Sequence, residues 1–269
     1  MIGKIRKLFL TKFEIAEQLT VTPAKSRADR LLVALGLAES RARAQSLIKA
    51  GKVFAGQRQI VKPGETLPVT DSGLRLAEPD HPWVSRGGLK LTGALDHFEL
   101  DVTGSRAIDV GASTGGFTDV LLSGGAAHVY AVDVGQDQLH LRLRDDDRVT
   151  VLEKTNARHL DRETIAGPVD LIVCDASFIS LKLVLPASME LAEPGARLVA
   201  LIKPQFEVGK GNLGKGGIVR DPALRQQARD DIFRWMGEQP DWSVVGVTDS
   251  PIAGPDGNHE YLIYAVKAA

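Results

Sequence analysis

Four charged residues stand where a folded chain could bring them together. Asp175 closes the apolar run "DLIVCD", Lys203 closes "RLVALIK", and Glu260 directly precedes "YLIYAV". Lys90 lies further back, in "VSRGGLK". Two lysines set among two carboxylates suit the handling of a proton on a very weak acid, such as a ribose hydroxyl. A lysine is no base while it stays protonated near its reference value of about 10.4. Desolvation and a second lysine lower that value, while flanking carboxylates oppose the fall and hold the amine in place. On this reading Lys203 is the base or the orienter of the hydroxyl, Asp175 orients Lys203, and Lys90 and Glu260 tune the network. The plainer reading leaves Lys90 and Glu260 as exposed surface charges and Asp175 as an ordinary acid at a strand end.

A donor for such a hydroxyl is suggested by "RAIDVGASTGGFTDVLLSGGAAHVYAVD", residues 106–133, which reads as strand, glycine turn, helix and a second strand ending in an acid. A dinucleotide fingerprint needs a glycine two positions after the first, so that the backbone can approach a pyrophosphate. That place is Ser113; the glycines are Gly111, Gly115 and Gly116. Asp109, two residues before Gly111, would repel a pyrophosphate and attract an amine. Asp133, 22 residues after Gly111, can accept from ribose hydroxyls. This pattern resembles the class I S-adenosylmethionine-dependent methyltransferases, whose cofactor has no phosphates and carries an amino acid tail. A nicotinamide dinucleotide remains the alternative.

These residues must be held by a sheet. Strands are predicted at 106–110, 128–133, 149–153, 170–175, 197–203, 244–248 and 261–266. Several are continuous apolar runs, as strands buried on both faces require. The fold class is therefore α/β, a Rossmann-like class I methyltransferase sheet of seven mostly parallel strands. In such a sheet ligands sit beyond the carboxyl ends of the strands, where Asp175 and Lys203 fall. No helical pattern separates the last two strands, so the final one is expected to run antiparallel, which brings Glu260 to the same edge.

Ahead of this lies a small α+β module. Ser26 is a candidate cap for a helix with Asp29 in its first turn and Leu31, Leu32 and Leu35 on one face, stopped by Gly36. Ser40 opens a second helix that carries Leu47 and Ile48 and closes at Gly51. Short strands follow around Gly56 and the Pro63-Gly64 turn. Residues 1–90 hold 16 Lys and Arg against 8 Asp and Glu; residues 91–269 hold 17 against 26. A basic head on an acidic body suggests that the head meets a polyanion. Arg27, Arg30, Arg41, Arg43, Lys49 and Lys52 are the candidate contacts to it; that the polyanion is RNA is what a resemblance implies. The stretch "RADRLLVALGLAESRARAQSLIKAGKVFAGQ" resembles the α-L RNA-binding fold of ribosomal proteins, with a DNA-reading helix-turn-helix as the alternative. The expected domains are 25–70 for this module, 71–85 for a linker and 86–269 for the methyltransferase. Residues 1–24 are an extension with no assignable role.

Composition excludes several classes. No run approaches a membrane span and no apolar stretch reads as a signal peptide. One cysteine, Cys174, forbids an intrachain disulfide and suits a cytoplasmic protein; alternation makes it a buried core residue. The six histidines show no metal spacing, so no metal is expected. The stretch "VGKGNLGKGG", 208–217, nearly spells a P-loop, but Gly216 replaces the magnesium-holding Ser or Thr; a lysine-bearing lid is expected instead. In "DASF", 175–178, Ala176 and Ser177 replace the prolines of base-amino methyltransferases. That reading stays open, as does a non-catalytic RNA-binding protein.

Taken together, "WVSRGGLKL", "AIDVGASTGGFTDVLL", "VYAVDVG", "CDASFISL", "LIKPQFEVG" and "GNHEYL" resemble the TlyA family, the haemolysin-A-type ribosomal RNA 2′-O-methyltransferases. The resemblance runs from about residue 25 to 266. It implies that the family's Lys-Asp-Lys-Glu tetrad, shared with FtsJ-like RNA methyltransferases, falls on Lys90, Asp175, Lys203 and Glu260. Its cofactor turn would span Asp109 to Phe117, with Asp133 as the ribose acid and Asn156 where relatives place an adenine-contacting acid. The implied substrate is a cytidine 2′-hydroxyl of ribosomal RNA, in one or both subunits. The family name also raises a membrane-lytic class, which nothing in the sequence supports.

Overall fold

The computed structural model of the protein describes residues 25–70, 72–77 and 81–269. The extension 1–24 lies outside the described residues. The chain divides into two compact units, 1–80 and 81–269.

In the small unit, β1 (Lys25–Arg27) leads into α1 (Ala28–Ala34) and α2 (Arg41–Lys49). Four short strands follow: β2 (Val53–Ala55), β3 (Arg58–Gln59), β4 (Thr66–Pro68) and β5 (Leu74–Leu76). β1 pairs with β4, and β2 sits between β3 and β5. Ala28, Leu31, Leu32, Leu47, Ile48, Val53 and Ile60 form the core. Ser40 caps α2 by accepting from the Arg43 N–H, as its position predicts.

Three expectations need correction here. Ser26 does not cap α1, because it lies in β1 opposite Leu67. The first helical N–H groups, of Ala28 and Asp29, donate instead to the carbonyls of Glu65 and Pro63. Leu35 is 51% exposed, since α1 ends one residue before it and the Gly36 turn (φ +69°) carries it off the apolar face. Nor is 71–85 all linker: β5 lies within it and hydrogen-bonds to β2.

The large unit opens with α3 (Gly87–His97). Then come β6 (Arg106–Val110), α4 (Gly116–Ser123), β7 (His128–Val132), α5 (Leu141–Arg144), β8 (Val149–Leu152) and β9 (Leu171–Cys174). α6 (Leu181–Val184), α7 (Pro186–Leu191), β10 (Arg197–Ile202), α8 (Pro204–Glu207), α9 (Pro222–Gly237), β11 (Trp242–Asp249) and β12 (Tyr261–Lys267) complete it. The sheet order is β11-β12-β10-β9-β6-β7-β8. β12 runs antiparallel between β10 and β11, as the helix-free connection predicts.

Successive residues feed opposite faces, which explains the unbroken apolar runs. Ile108, Val110, Ile172 and Cys174 enter one core, while Ala107, Leu171 and Val173 enter the other. The chain leaves β6 toward β7 and β8, then returns to β9 on the other side. That reversal opens a crevice beyond the ends of β6 and β9.

Candidate active site

The four charged residues meet beyond the carboxyl edge of the sheet. Asp175 follows β9 and Lys203 follows β10. Ile202 pairs with Tyr261, so the antiparallel register sets Glu260 beside Lys203. Lys90 comes from α3. Its Nζ lies 2.8 Å from Glu260 Oε2 and 3.4 Å from Asp175 Oδ2. Lys203 Nζ lies 2.6 Å from Asp175 Oδ1. It also donates to the Asp175 carbonyl at 3.1 Å and to Ser177 Oγ at 2.8 Å. Lys90, Lys203 and Glu260 are 5%, 6% and 1% exposed, so the surface-charge reading of Lys90 and Glu260 fails. Burial works against the Lys90 charge, but the Asp175 and Glu260 carboxylates outweigh it and hold the ammonium above its ordinary range.

Glycines allow this approach. A side chain at Gly254 would begin 2.5 Å from Glu260 Oε1. One at Gly88, in the first turn of α3, would begin 2.4 Å from Trp83. Asn258, buried just before Glu260, accepts from the Val219 N–H at 3.0 Å and donates to the Gly217 carbonyl at 3.2 Å. The glycine stretch 208–217 is thereby tied to the Glu260 loop at its far end, with Lys215 exposed.

A cavity of about 590 Å³ adjoins Asp175, within the range of about 300–1,000 Å³ common for small-molecule sites. Gly111, Ser113, Asp133, Gln138, Asn156 and Ser177 are among its lining residues. Asp133 accepts from the Ser113 N–H at 2.8 Å and the Gly135 N–H at 2.6 Å, which fixes both turns at the cavity wall. Asn156 caps the short helical turn after it by accepting from the Arg158 N–H. Glu153 steadies the loop carrying Gln138: it accepts from the N–H groups of Asp137, Gln138 and Leu139 and pairs with Arg144. Those backbone donors hold its carboxyl down at about 2.

Asp109, Gly115, Gly116 and Phe117, expected to touch the cofactor, stand behind the wall instead. Asp109 is fully buried, and its Oδ2 accepts from the Thr118 N–H at 2.9 Å and the Thr118 hydroxyl at 2.7 Å. Its strand position turns it under the helix rather than out to the cavity. Burial pushes its carboxyl up to about 7. A side chain at Gly115 (φ +96°) would begin 2.3 Å from Leu143, and one at Gly116 2.4 Å from Ser85 Oγ. Both glycines therefore serve close packing, and Phe117 belongs to the core.

S-adenosylmethionine fits these residues. The cavity offers the Asp133 carboxylate and the Gln138 and Asn156 amides. Gly111 (φ +83°) lets the backbone pass where a side chain would begin 2.8 Å from Ala176 Cα. Asp109 Oδ1, behind that turn, is buried without a hydrogen-bond partner among the described residues. The cofactor supplies an electrophilic methyl group.

Sequence reasoning passed over Ser177, Phe206 and Glu207. Phe178 (φ +66°) is 91% exposed at the cavity rim, its ring centroid 5.3 Å from that of Phe206. Glu207 accepts from the Ser180 hydroxyl at 2.6 Å and the Leu181 N–H at 2.9 Å, joining the segment after Lys203 to the one after Asp175. The motifs "CDASF" and "KPQFE" contain these residues, but nothing in their spacing pairs one with the other. Cys174 is buried as expected, its thiol pushed up to about 12 by burial. Among the described residues no group of three or more His, Cys, Asp or Glu is placed to hold a metal ion. Nor is any helix among them long and apolar enough to cross a membrane.

In the small unit the basic residues divide. Arg27 grips the buried Asp29 through two bonds of 2.9 Å, Arg41 joins at 3.2 Å and Gln45 at 3.0 Å. Those guanidiniums have a structural partner that the charge count did not reveal. Arg30 and Lys49 lie exposed, and Arg43 and Lys52 are half-buried.

Known proteins match both units. The FtsJ-like methyltransferase model matches residues 83–267, and the S4 domain model matches residues 26–72. The 16S/23S rRNA (cytidine-2′-O)-methyltransferase TlyA of Mycobacterium tuberculosis is 50% identical over 89% of this chain and 89% of its own. Hemolysin A of Brachyspira hyodysenteriae is 38% identical over 89% of this chain and 99% of its own. A solved structure of a hemolysin candidate from Streptococcus thermophilus is 42% identical, with a TM-score of 0.75 over 91% of this chain and 89% of the other. With its sheet, its cavity and its Lys-Asp-Lys-Glu cluster, the chain belongs to the FtsJ-like methyltransferases, in the TlyA family that joins such a domain to an S4 domain.

Proposed function

We propose that this protein transfers the methyl group of S-adenosylmethionine to a ribose 2′-hydroxyl of ribosomal RNA, with cytidine as the target nucleoside. The observation that carries the reading is the engagement of Asp175 by two lysines, Lys203 on Oδ1 and Lys90 on Oδ2. A base-amino methyltransferase uses the acid at this strand end to accept from the target amino group. Here both carboxylate oxygens face ammonium groups, and the cluster serves a hydroxyl better than an amine.

Lys203 is the group that takes the hydroxyl proton or orients the hydroxyl, and Asp175 holds it. Lys90 stays protonated between Asp175 and Glu260, where it balances their charge and fixes the position of Asp175. Gly111, Ser113, Asp133 and Asn156 hold the cofactor, with Asp109 behind them. Phe178 offers an exposed aromatic face on which an unstacked base can lie beside the cavity, the usual way of reading single-stranded RNA. Arg30, Arg43, Lys49 and Lys52 contact RNA phosphates, while Arg27 and Arg41 do so from a geometry set by Asp29. Such phosphate contacts make binding fall steeply with salt. The work takes place in the cytoplasm.

The test is transfer of labelled methyl from S-adenosylmethionine to ribosomal subunits that lack the modification, followed by nucleoside analysis. Label in 2′-O-methylcytidine is the expected result. Label on a base would establish the amino-methyltransferase instead. No label, with cofactor bound and both subunits supplied, would overturn ribosomal RNA as the substrate.

A further inference from the structure

Lys203 Nζ donates to the Asp175 carbonyl at 3.1 Å and to Ser177 Oγ at 2.8 Å, and it forms an ion pair 2.6 Å from Asp175 Oδ1, an oxygen that takes no hydrogen bond among the described residues. An ammonium carries three hydrogens, and these two bonds use two of them. To accept a proton the nitrogen must first become a neutral amine, with two hydrogens and one lone pair. The carbonyl can only accept, so it keeps its hydrogen. Of the two hydrogen-bond partners, Ser177 alone can reverse its role and donate its hydroxyl hydrogen to the lone pair. Ser177 is thus the hydrogen-bond partner through which a proton can reach the buried amine. Ser177 Oγ, in turn, belongs to a residue that is exposed and lines that cavity.

The geometry points to Ser177 as a catalytic residue whose hydroxyl relays the substrate proton to Lys203. This rests on the 2′-hydroxyl reading above. The proton leaves the 2′-oxygen for Ser177 Oγ while the serine's own proton passes to Lys203 Nζ. Ser177 ends unchanged, and Lys203 ends as an ammonium bonded again to Ser177 and the Asp175 carbonyl and paired with the Asp175 carboxylate. The electron pair left on the 2′-oxygen forms the new bond to the methyl carbon, and the pair of the broken carbon–sulfur bond stays on sulfur. One positive charge is thereby moved from the sulfonium to the lysine, and atoms and charge balance. The left-handed conformation of Phe178, the next residue, turns the chain back immediately after the serine.

The experiment is single-turnover methyl transfer to ribosomal subunits by the full chain, comparing wild type, Ser177→Ala and Ser177→Thr at saturating S-adenosylmethionine. Cofactor affinity is measured separately by calorimetry. Ser177→Ala is expected to slow the transfer step by about 10²-fold, the low end of what a positioned proton-transfer group supplies. Its cofactor affinity is expected to match the wild type. Threonine, which keeps a hydroxyl, is expected to recover most of the lost rate. In mixtures of light and heavy water the wild-type rate should follow a curve, as two protons in flight require. An alanine variant at the wild-type rate, a threonine variant as slow as alanine, or a straight-line dependence on heavy water would overturn the relay. So would a defect in alanine that tracks lost cofactor affinity. Wild type that places no methyl on a 2′-oxygen would overturn the underlying reading along with it.

Discussion

Replacing Asp109 with Asn tests whether the acid behind the cofactor wall is held against its own charge. Asp109 is fully buried, takes two hydrogen bonds from Thr118 on one oxygen and has no partner among the described residues on the other. Burial is the main cause that lifts its carboxyl from the ordinary 3.8 to about 7, with the charges of Asp175 and Asp133 adding to it. Below 3.8 the group is protonated in the folded and unfolded chain alike, and it costs nothing. Between 3.8 and about 7 the unfolded chain has lost the proton while the folded one keeps it, so stability falls as pH rises. Above that window both forms are ionised and the whole penalty stands, about 4 kcal/mol at 1.36 kcal/mol for each tenfold change. Asn carries no charge at any pH. Its stability relative to wild type should therefore improve by about 3 kcal/mol on going from about pH 4.5 to about pH 8. Urea unfolding of the large unit, without cofactor, measures this as a difference of differences, in which groups common to both proteins cancel. A relative stability flat to within about 1 kcal/mol across that range would mean that Asp109 ionises as an exposed carboxyl does. The same variant should bind S-adenosylmethionine more weakly at pH 8 while folding more tightly. Such a trade between stability and function is common where an acid is buried for a ligand.

Other perturbations address the remaining parts. Lys203→Ala is expected to keep cofactor affinity by calorimetry while turnover falls about 10²–10⁴-fold, and unchanged turnover would remove the lysine from the proton path. Glu260→Gln takes from Lys90 its nearer carboxylate but leaves Asp175 at 3.4 Å. It should cost about 2 kcal/mol in urea unfolding, less than a buried ion pair broken outright; no loss would mean that the pair contributes nothing net. Asp29→Ala should lower the unfolding midpoint of the small unit and leave that of the large unit in place, because its partners Arg27 and Arg41 are half-exposed and rehydrate. The cost is about 1–3 kcal/mol, which thermal unfolding followed through both units can separate. Neutralising Arg30 and Lys49 together should weaken RNA binding and flatten its dependence on salt without changing small-unit stability. Neutralising Arg41 changes both.

Much of the large unit could be read along the chain because its strands are buried on both faces. Runs such as "LIVC" and "LVALI" must be apolar at every position, and each predicted strand lies within two residues of the observed one at either end. The placement of Asp175 and Lys203 followed from the same rule, since parallel strands deliver their carboxyl ends to a common edge. Glu260 joined them once the last connection was seen to lack a helix. Such inferences need only local pattern and the topology it implies.

What remained hidden depended on contacts between distant segments. The start of α1 is capped by carbonyls from the Pro63–Glu65 turn, so the serine that looked like a cap serves as a strand residue. Asp29 looked like a first-turn acid and is the buried anchor of two arginines that had been counted as free charge. Asp109 and Asp133 both follow the pattern of a cofactor site, yet one faces inward under α4 and the other lines the cavity. Lys90 illustrates the division most plainly. Its position in the sequence fits a solvated surface lysine, and only the close packing around Gly88 and Gly116 carries α3 in far enough to bury it between two carboxylates. Periodicity along one segment reports which side of that segment avoids water. It carries no information about which partner, thirty or a hundred residues away, will meet the other side. In this protein the sequence determined the sheet and the identity of the reacting groups, and tertiary packing decided their charge, their burial and their hydrogen-bond partners.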